Sequence, residues 1–381
     1  MIRRNDDTVP YDRERIRSGG TRARRGRRSS QERQPSRGHA RRPRRRGSFG
    51  RTLRRVVVLA LLLLVIAVVL LFIRAAAFNA TVSSAVFPST ALLWDLNGSD
   101  RVNVLLVGYG GAGHGGGYLA DSIQVISVDP RTDTTTTIPI PRDLWIEGIG
   151  SFSQGGKVNE VFAAGYASGD LDEAGDLLAR VVSEVTGLRI DHWLSIDFAG
   201  FSGMVDAVGG VTIDNPVAFS YTTNQELHDA GEWNRGTFAA GEIHLDGAEA
   251  LAYTRARYTS VVVESTDFAR SVRQSRVLSA LRAKVGGGIG SILPGLSLMD
   301  AMEDRVRTDV SAIDLFLLSS HLSSDDRVEL TEGVVLTATS NSIGQYILVP
   351  TGWTGPGDYG GLRAYLELRL AQAPPTGTDA P

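Results

Sequence analysis

Val102-Asn-Val-Leu-Leu-Val-Gly108, followed across a glycine-rich loop by Asp121-Ser-Ile-Gln-Val-Ile-Ser-Val128, sets the architecture of this 381-residue chain. The first segment is a short apolar run ended by glycine, a buried strand by length and composition, and the second is another strand. Thr134 to Ile140 gives a third, β-branched and closed by Pro139 and Pro141. Residues 159–167 and 171–186 then read as helices, the second with Leu171, Ala174, Leu178 and Val181 or Val182 on one face. His192 to Asp197 returns to strand, Phe198 to Val208 to helix, and Gly209-Gly210-Val211-Thr-Ile213 to turn and strand. Tyr253-Thr-Arg-Ala-Arg257 reads as a strand, and Thr266 to Val285 as a long helix with Ser265 or Thr266 as N-cap. Residues 310–370 add further helix and strand, and no internal repeat is visible. Strands alternating with helices predict an α/β domain in which helices cover a central sheet.

The N-terminus is a different material. Residues 1–55 hold 20 arginines against five acids (Asp6, Asp7, Asp12, Glu14 and Glu32), a net of +15, so with a chain total of −2 the remainder carries −17. A segment so poor in aliphatic residues cannot bury a core and is expected to be a disordered tail. Runs such as Arg41-Arg42-Pro43-Arg44-Arg45-Arg46 suit nucleic acid, but Val56 to Ile73 follows at once, eighteen residues without a polar side chain, ended by Arg74. At 1.5 Å per residue that run spans roughly 27 Å, the hydrocarbon thickness of a bilayer. A cleaved signal peptide is the rival, with Ala75-Ala76-Ala77 just beyond, but the basic region and the apolar core are both too long for one. The expectation is one uncleaved anchor at 56–74, N-terminus cytoplasmic, with the tail on anionic inner-leaflet lipid and no nucleic acid as partner. A stalk at 75–100, an extracytoplasmic domain at 101–371 and a disordered Pro/Thr/Gly tail at 372–381 complete the division. The absence of cysteine removes disulfides, thiol catalysis and cysteine-based metal sites.

The chemistry concentrates in Tyr253-Thr-Arg-Ala-Arg257, Asp267-Phe-Ala-Arg270 and Arg273-Gln274. On a strand, Arg255 and Arg257 leave the same face. On a helix, Asp267, Arg270 and Gln274 stand at i, i+3 and i+7, a single stripe. Converging planar, permanently charged forks suit a pyrophosphate better than a neutral ligand. Solvated arginines with one i,i+3 ion pair are the plain alternative. Pro141-Arg142-Asp143 closes a strand with an arginine and a carboxylate, with Lys157 (one of two lysines) and Asn159 shortly after. Asp121 opens a strand beside the glycine loop, a place where a metal ion or an incoming hydroxyl is met. The loop Gly108 to Gly117 lacks the ending of a P-loop and leads into a strand, so it reads as a flap or a close-approach loop. No serine-hydrolase elbow, HExxH helix or histidine cluster is present.

These residues also form an ordered series. Asn103-Val-Leu-Leu-Val-Gly108, Asp121-Ser122, Ile140-Pro-Arg-Asp143, Lys157-Val-Asn159, Val208-Gly-Gly-Val211, Leu245 to Arg257 and Asp267 to Gln274 occur in the order of the LytR-CpsA-Psr family, which the chain resembles over roughly residues 100–285. The resemblance implies an αβα sandwich with a central mixed sheet, outside the membrane, that binds a polyprenyl-pyrophosphate carrier. It implies a phosphotransferase that moves a glycopolymer, as sugar-1-phosphate, from that carrier to a hydroxyl of peptidoglycan. Position by position, Arg142, Arg255, Arg257, Arg270 and Gln274 would hold the pyrophosphate with Lys157 adjacent, and Asp267 would orient its arginine neighbours. Asp121 would bind Mg²⁺ (or Mn²⁺) or activate the acceptor hydroxyl, and Asp143 would support Arg142. Asp121, Arg142, Asp143 and Arg257 are the expected catalytic residues, with the charge carried by the arginine cluster and one Mg²⁺.

Two departures stand out. Gly110 occupies the place of the aspartate usual in the family, and no arginine follows in the loop, which sets a two-carboxylate metal site aside; His114 is a substitute ligand or a solvent-facing side chain. The segment Tyr258 to Thr266 is longer than usual and would reshape the pocket rim. Two other readings compete with transfer: carrier binding or pyrophosphate hydrolysis without transfer, and a membrane-tethered regulator.

Overall fold

The computed structural model describes residues 48–85, 101–132, 134–285, 292–311, 314 and 325–372. The basic tail expected at 1–55 falls outside these residues except for its last eight, as do 86–100 of the expected stalk and the C-terminal tail beyond 372.

Helix α1 (Ser48–Val82) is 35 residues long, and every residue from 56 to 73 is exposed. It is long and apolar enough to cross a membrane. The helix does not stop at Arg74: residues 75–82, expected as the start of a stalk, continue it, and Phe78 and Val82 are buried.

The central sheet contains β1 (Val102–Tyr109), β2 (Ala120–Asp129), β3 (Thr134–Pro139), β4 (His192–Asp197), β5 (Val306–Thr308) and β6 (Asp325–Arg327), in the order β5-β4-β1-β2-β3-β6. β1 runs parallel to β4 and β3 to β6, while β1–β2, β2–β3 and β4–β5 are antiparallel. The sheet is therefore mixed, as expected. Side chains alternate between its faces. Leu105, Val107, Ile123 and Val125 pack against α2 (Val158–Gly165), α3 (Leu171–Thr186) and α8 (Gly360–Ala371) in the main core. α3 forms at the predicted residues, capped by Asp170 accepting from the Asp172 amide at 2.8 Å and ended by Gly187 at φ 74°. Leu106, Gly108 and Gln124 face the other way, toward α4 (Phe198–Ala207), α5 (Gly247–Arg255) and α6 (Asp267–Val285).

One element differs from its sequence reading. Tyr253 to Arg257 is not a strand: α5 runs through Arg255, and Ala256 leaves it at φ −56°, ψ 121°. The capping box Asp246/Glu249 starts a helix here, and the alanine- and leucine-rich run that follows propagates it. The signal lay in Asp246-Gly-Ala-Glu249, upstream of the arginines. Thr266 is the N-cap of α6, its hydroxyl accepting from the Ala269 amide at 3.1 Å.

Candidate functional site

Asp121 owes its position to a register slip. The β1–β2 pairing runs from Val102↔Val128 to Gly108↔Ser122 and then joins Tyr109 to Ala120. Asp121 is the extra residue of that bulge, a device that re-aims a side chain at the end of a ladder. It lines a cavity of about 620 Å³ together with Arg142, Arg255, Arg257, Arg270 and Gln274. These come from β2, the turn after β3, the end of α5 and one stripe of α6, so four separate stretches converge. The same-face strand argument for Arg255 and Arg257 does not hold, yet both reach the cavity because the helix ends between them.

The wall is a charge network. Arg142 Nη1 lies 3.7 Å from Asp121 Oδ1, and its Nε lies 3.3 Å from Asp143 Oδ2 and 3.8 Å from Asp267 Oδ2. Arg270 Nη1 lies 2.7 Å from Asp267 Oδ1, and Arg255 Nη2 lies 4.0 Å from Asp121 Oδ2. Arg142 Nε and Arg270 Nη1 are buried without an aligned hydrogen-bond acceptor among the described residues. Both atoms face carboxylates at ion-pair distance, so charge and not aligned hydrogen bonding holds this part of the wall. Burial pushes the Arg255 and Arg270 guanidinium groups below the ordinary arginine value, with Asp121 and Asp267 respectively opposing it. Arg257 has no partner among the described residues, so its charge is available to a ligand.

Two expected residues stand behind this wall. Lys157 Nζ is spent on Asp143 Oδ1 at 2.6 Å, and Asp143 is buried beneath Arg142, so neither lines the cavity. Asp267 faces a second cleft of about 650 Å³, which shares Asp121, Arg142, Arg270 and Gln274 with the first and reaches Glu332 and Tyr346. Val263, Thr266 and Phe268, in and just after the long segment 258–266, border that cleft.

His114 does not simply face solvent. Its Nε2 accepts from Arg255 Nη2 at 2.9 Å, since guanidinium can only donate, and its ring meets Phe198 edge-on. Phe198 in turn lies 4.1 Å beneath the Arg255 guanidinium. A Cβ at Gly110 would sit 2.7 Å from His114 Cδ2, so the imidazole fills the room a side chain at position 110 would need. The glycine loop closes on itself where Gly111 N donates to Gly117 O at 2.8 Å, and a Cβ at Gly117 would lie 2.4 Å from the Gly111 carbonyl oxygen. The close-approach reading applies there.

Sequence reasoning missed three contributors. Arg235, from the hairpin segment before β-strand Gly236–Phe238, adds a fifth arginine to the cavity. Phe198 carries the cation–π contact. Arg273 is fully buried and works through the backbone: Nε donates to Tyr253 O at 3.0 Å, Nη1 to Glu264 O and Oε2 at 2.9 and 2.6 Å, and Nη2 to Ala256 O. It satisfies carbonyls at the open end of α5, where arginine is favoured. That role had one visible cue, the 273/274 spacing within α6, which turns Arg273 away from the Gln274 stripe.

Beside the cavity lies an apolar pocket of about 170 Å³, between the second face of the sheet and α4–α6. Leu106, Leu194, Phe201 and Leu278 line it, and Asp121, Arg255 and Gln274 belong to both spaces. A polar headgroup and a greasy tail thus find adjoining compartments.

No group of three or more acidic or histidine side chains able to hold a metal ion occurs among the described residues. Asp121 is the carboxylate lining the arginine cavity. Mg²⁺ commonly takes one or two carboxylates and completes its shell with water and substrate phosphates, so Asp121 fits such a role only alongside a phosphorylated ligand.

The αβα sandwich thus joins an arginine-lined cavity to an apolar pocket, a pairing of surfaces complementary to an amphiphilic anion. Residues 73–350 match the LytR_cpsA_psr family, and the chain belongs to that family. The Bacillus cereus polyisoprenyl-teichoic acid–peptidoglycan teichoic acid transferase TagU is 31% identical over 218 residues, 57% of this chain and 63% of that protein. The match therefore spans less than two thirds of that relative's length. Crystal structures of Bacillus subtilis TagU (25% identity, TM-score 0.50) and TagV (24%, 0.54) each cover 72% of this chain and 99% of their own, and share its fold.

Proposed function

We propose that this protein transfers a glycopolymer, as its sugar-1-phosphate, from a polyprenyl-pyrophosphate carrier to a hydroxyl of peptidoglycan, anchored by α1 with its folded domain outside the cell. The observation that carries this reading is the sharing of Asp121, Arg255 and Gln274 between the cationic cavity and the apolar pocket. A diphosphate at that junction places its lipid ester in one space and its sugar in the other. The activity for which the TagU relative is named, polyisoprenyl-teichoic acid to peptidoglycan, supports the same assignment.

In the proposed reaction the acceptor oxygen attacks the sugar-side phosphorus, forming a P–O bond. The anhydride P–O bond breaks, and polyprenyl phosphate leaves with the electron pair. Such a loose transition state is served by positioning and charge more than by covalent chemistry. Arg142 and Arg270 turn the cavity-facing side of their guanidinium groups to the diphosphate, Arg255 and Arg257 close on it from the end of α5, and Gln274 marks the junction with the tail. Asp143 and Lys157 hold Arg142 from behind, and Asp267 holds Arg270. Asp121, between the guanidinium groups, takes the proton of the acceptor hydroxyl, which arrives through the Glu332–Tyr346 cleft. When bound, Mg²⁺ (or Mn²⁺) held by Asp121 and the donor's own phosphate oxygens would neutralise further charge.

The test is turnover of a polyprenyl-pyrophosphate-linked oligosaccharide with peptidoglycan strands. Polymer on the glycan together with released polyprenyl phosphate supports transfer. Release without attachment would establish hydrolysis, and retention of intact donor would establish binding alone.

A further inference from the structure

The apolar pocket lies against the membrane helix. Beyond Arg74, α1 buries Phe78 and Val82 in a cluster with Val306, and Leu194, Ile196, Met299 and Met302 pack onto it. Leu194, Ile196 and Met302 also line the apolar pocket. One layer of side chains therefore separates α1 from the space assigned to the lipid tail. Met299 and Met302 belong to α7 (Ile292–Met302), and α7 is tied to α1 by Arg74, which donates to Asp300 and, at 3.1 Å, to Glu303. On the opposite side of the helix end, Arg307 Nη1 donates to Thr81 O at 3.1 Å and Ser84 N to Thr308 O at 3.1 Å. Phe78 stands five residues past Ile73, the last of the apolar run, or roughly 7 Å along the axis.

Energetics make that adjacency consequential. Moving an isoprenoid tail through water costs about 0.8 kcal/mol per buried CH₂, prohibitive for a long chain. The tail must pass from bilayer to protein over continuous apolar surface. The pocket, about 170 Å³, is also smaller than the roughly 300–1,000 Å³ of ordinary ligand sites, so a wall must yield. The wall that meets α1 carries methionines, whose flexible thioethers repack at little cost.

Resting on the lipid-carrier reading above, we propose that the seam between α1 and α7 is the lateral portal through which the isoprenoid tail slides from the bilayer into the pocket. The Arg74–Asp300/Glu303 clamp positions α7 at the membrane surface for that transfer. Arg74 is a positioning residue and touches no reacting atom.

The experiment compares two donors on full-length protein in phosphatidylglycerol vesicles: an undecaprenyl-pyrophosphate disaccharide in the bilayer and its water-soluble farnesyl counterpart. Arg74→Glu is expected to lose roughly threefold in rate with the undecaprenyl donor, the scale of exposed ion pairs, and to stay near wild type with the farnesyl donor. The charge exchange Arg74→Asp with Asp300→Arg is expected to recover the undecaprenyl rate. Equal losses with both donors that the exchange does not repair, or no loss with either, overturn the portal. Failure of the wild type with both donors would instead sink the transfer reading itself.

Discussion

The guanidinium of Arg273 donates from Nε to the carbonyl oxygen of Tyr253 at 3.0 Å, across twenty positions of sequence. With Ala256 O as a second acceptor, this one side chain grips the backbone on both sides of Arg255 and just before Arg257. Presentation of the two cavity arginines thus depends on a third that never sees the ligand. Arg273→Met leaves Glu264 buried without its partner, and breaking such a pair costs about 3–5 kcal/mol. The thermal midpoint is expected to fall by roughly 10 °C, read by circular dichroism. A fall of a degree or less would mean that the pin is dispensable.

Arg257→Ala removes the one cavity arginine of the sequence motif that has no partner among the described residues. Its full charge is free for the diphosphate, so kcat is expected to drop by about 10²-fold, the scale of one transition-state donor. Arg257→Lys should recover little, since a point charge does not replace a planar fork. Arg235→Ala, at an exposed hairpin, should cost less than Arg257→Ala in the same turnover assay.

Metal dependence should be conditional on the donor. Because Asp121 is the carboxylate lining the cavity, calorimetric titration with Mg²⁺ alone is expected to show no site, and titration with Mg²⁺ plus inorganic pyrophosphate to show one. Asp121→Asn should abolish the second signal. A tight Mg²⁺ site without pyrophosphate would contradict this arrangement.

Gly110→Asp tests the space held by His114. The new Cβ would meet the imidazole at 2.7 Å, and overpacking of this kind costs about 1–3 kcal/mol. The single substitution should lower stability and disturb the His114–Arg255 hydrogen bond. Gly110→Asp with His114→Ala should recover the stability, measured by urea unfolding, and tighten Mg²⁺ binding in the presence of pyrophosphate.

Asp129 gives a pH signature. Burial by itself raises its pKa, but hydrogen bonds from Arg131 and the charges of Arg101 and Arg131 outweigh burial and hold the folded value below the ordinary 3.8. A depressed carboxylate contributes stability that is present above its unfolded value and lost as pH falls through its folded value. Asp129→Asn should therefore destabilise at neutral pH and do so less as the pH drops below 3.8. An unfolding penalty independent of pH would refute the assignment.

Much of this was legible because period and capping are local. The apolar runs of β1 and β2, the one-faced pattern of α3 and the Thr266 cap of α6 each carry their own instruction. Tyr253 to Arg257 was misread because its arginines sit where a helix ends, and the decision was made seven residues upstream by Asp246 and its capping partner. The i, i+3, i+7 stripe of Asp267, Arg270 and Gln274 survived, since it follows from helix geometry alone. Lys157 and Asp143 were found near the site but one layer too far forward, a matter of burial that spacing does not encode. Arg235, Phe198 and the function of Arg273 depend on contacts across the fold, and no local rule reaches them.

The uninterrupted course of α1 from Ile73 to Val82 is about 14 Å of rigid rod with no joint before it meets the edge of the sheet. For a protein embedded through that helix, the standoff between lipid surface and reaction centre becomes a built-in constant instead of a fluctuating tether length. On the transfer reading proposed above, acceptor strands would then be selected by height, at a fixed distance from the lipid surface.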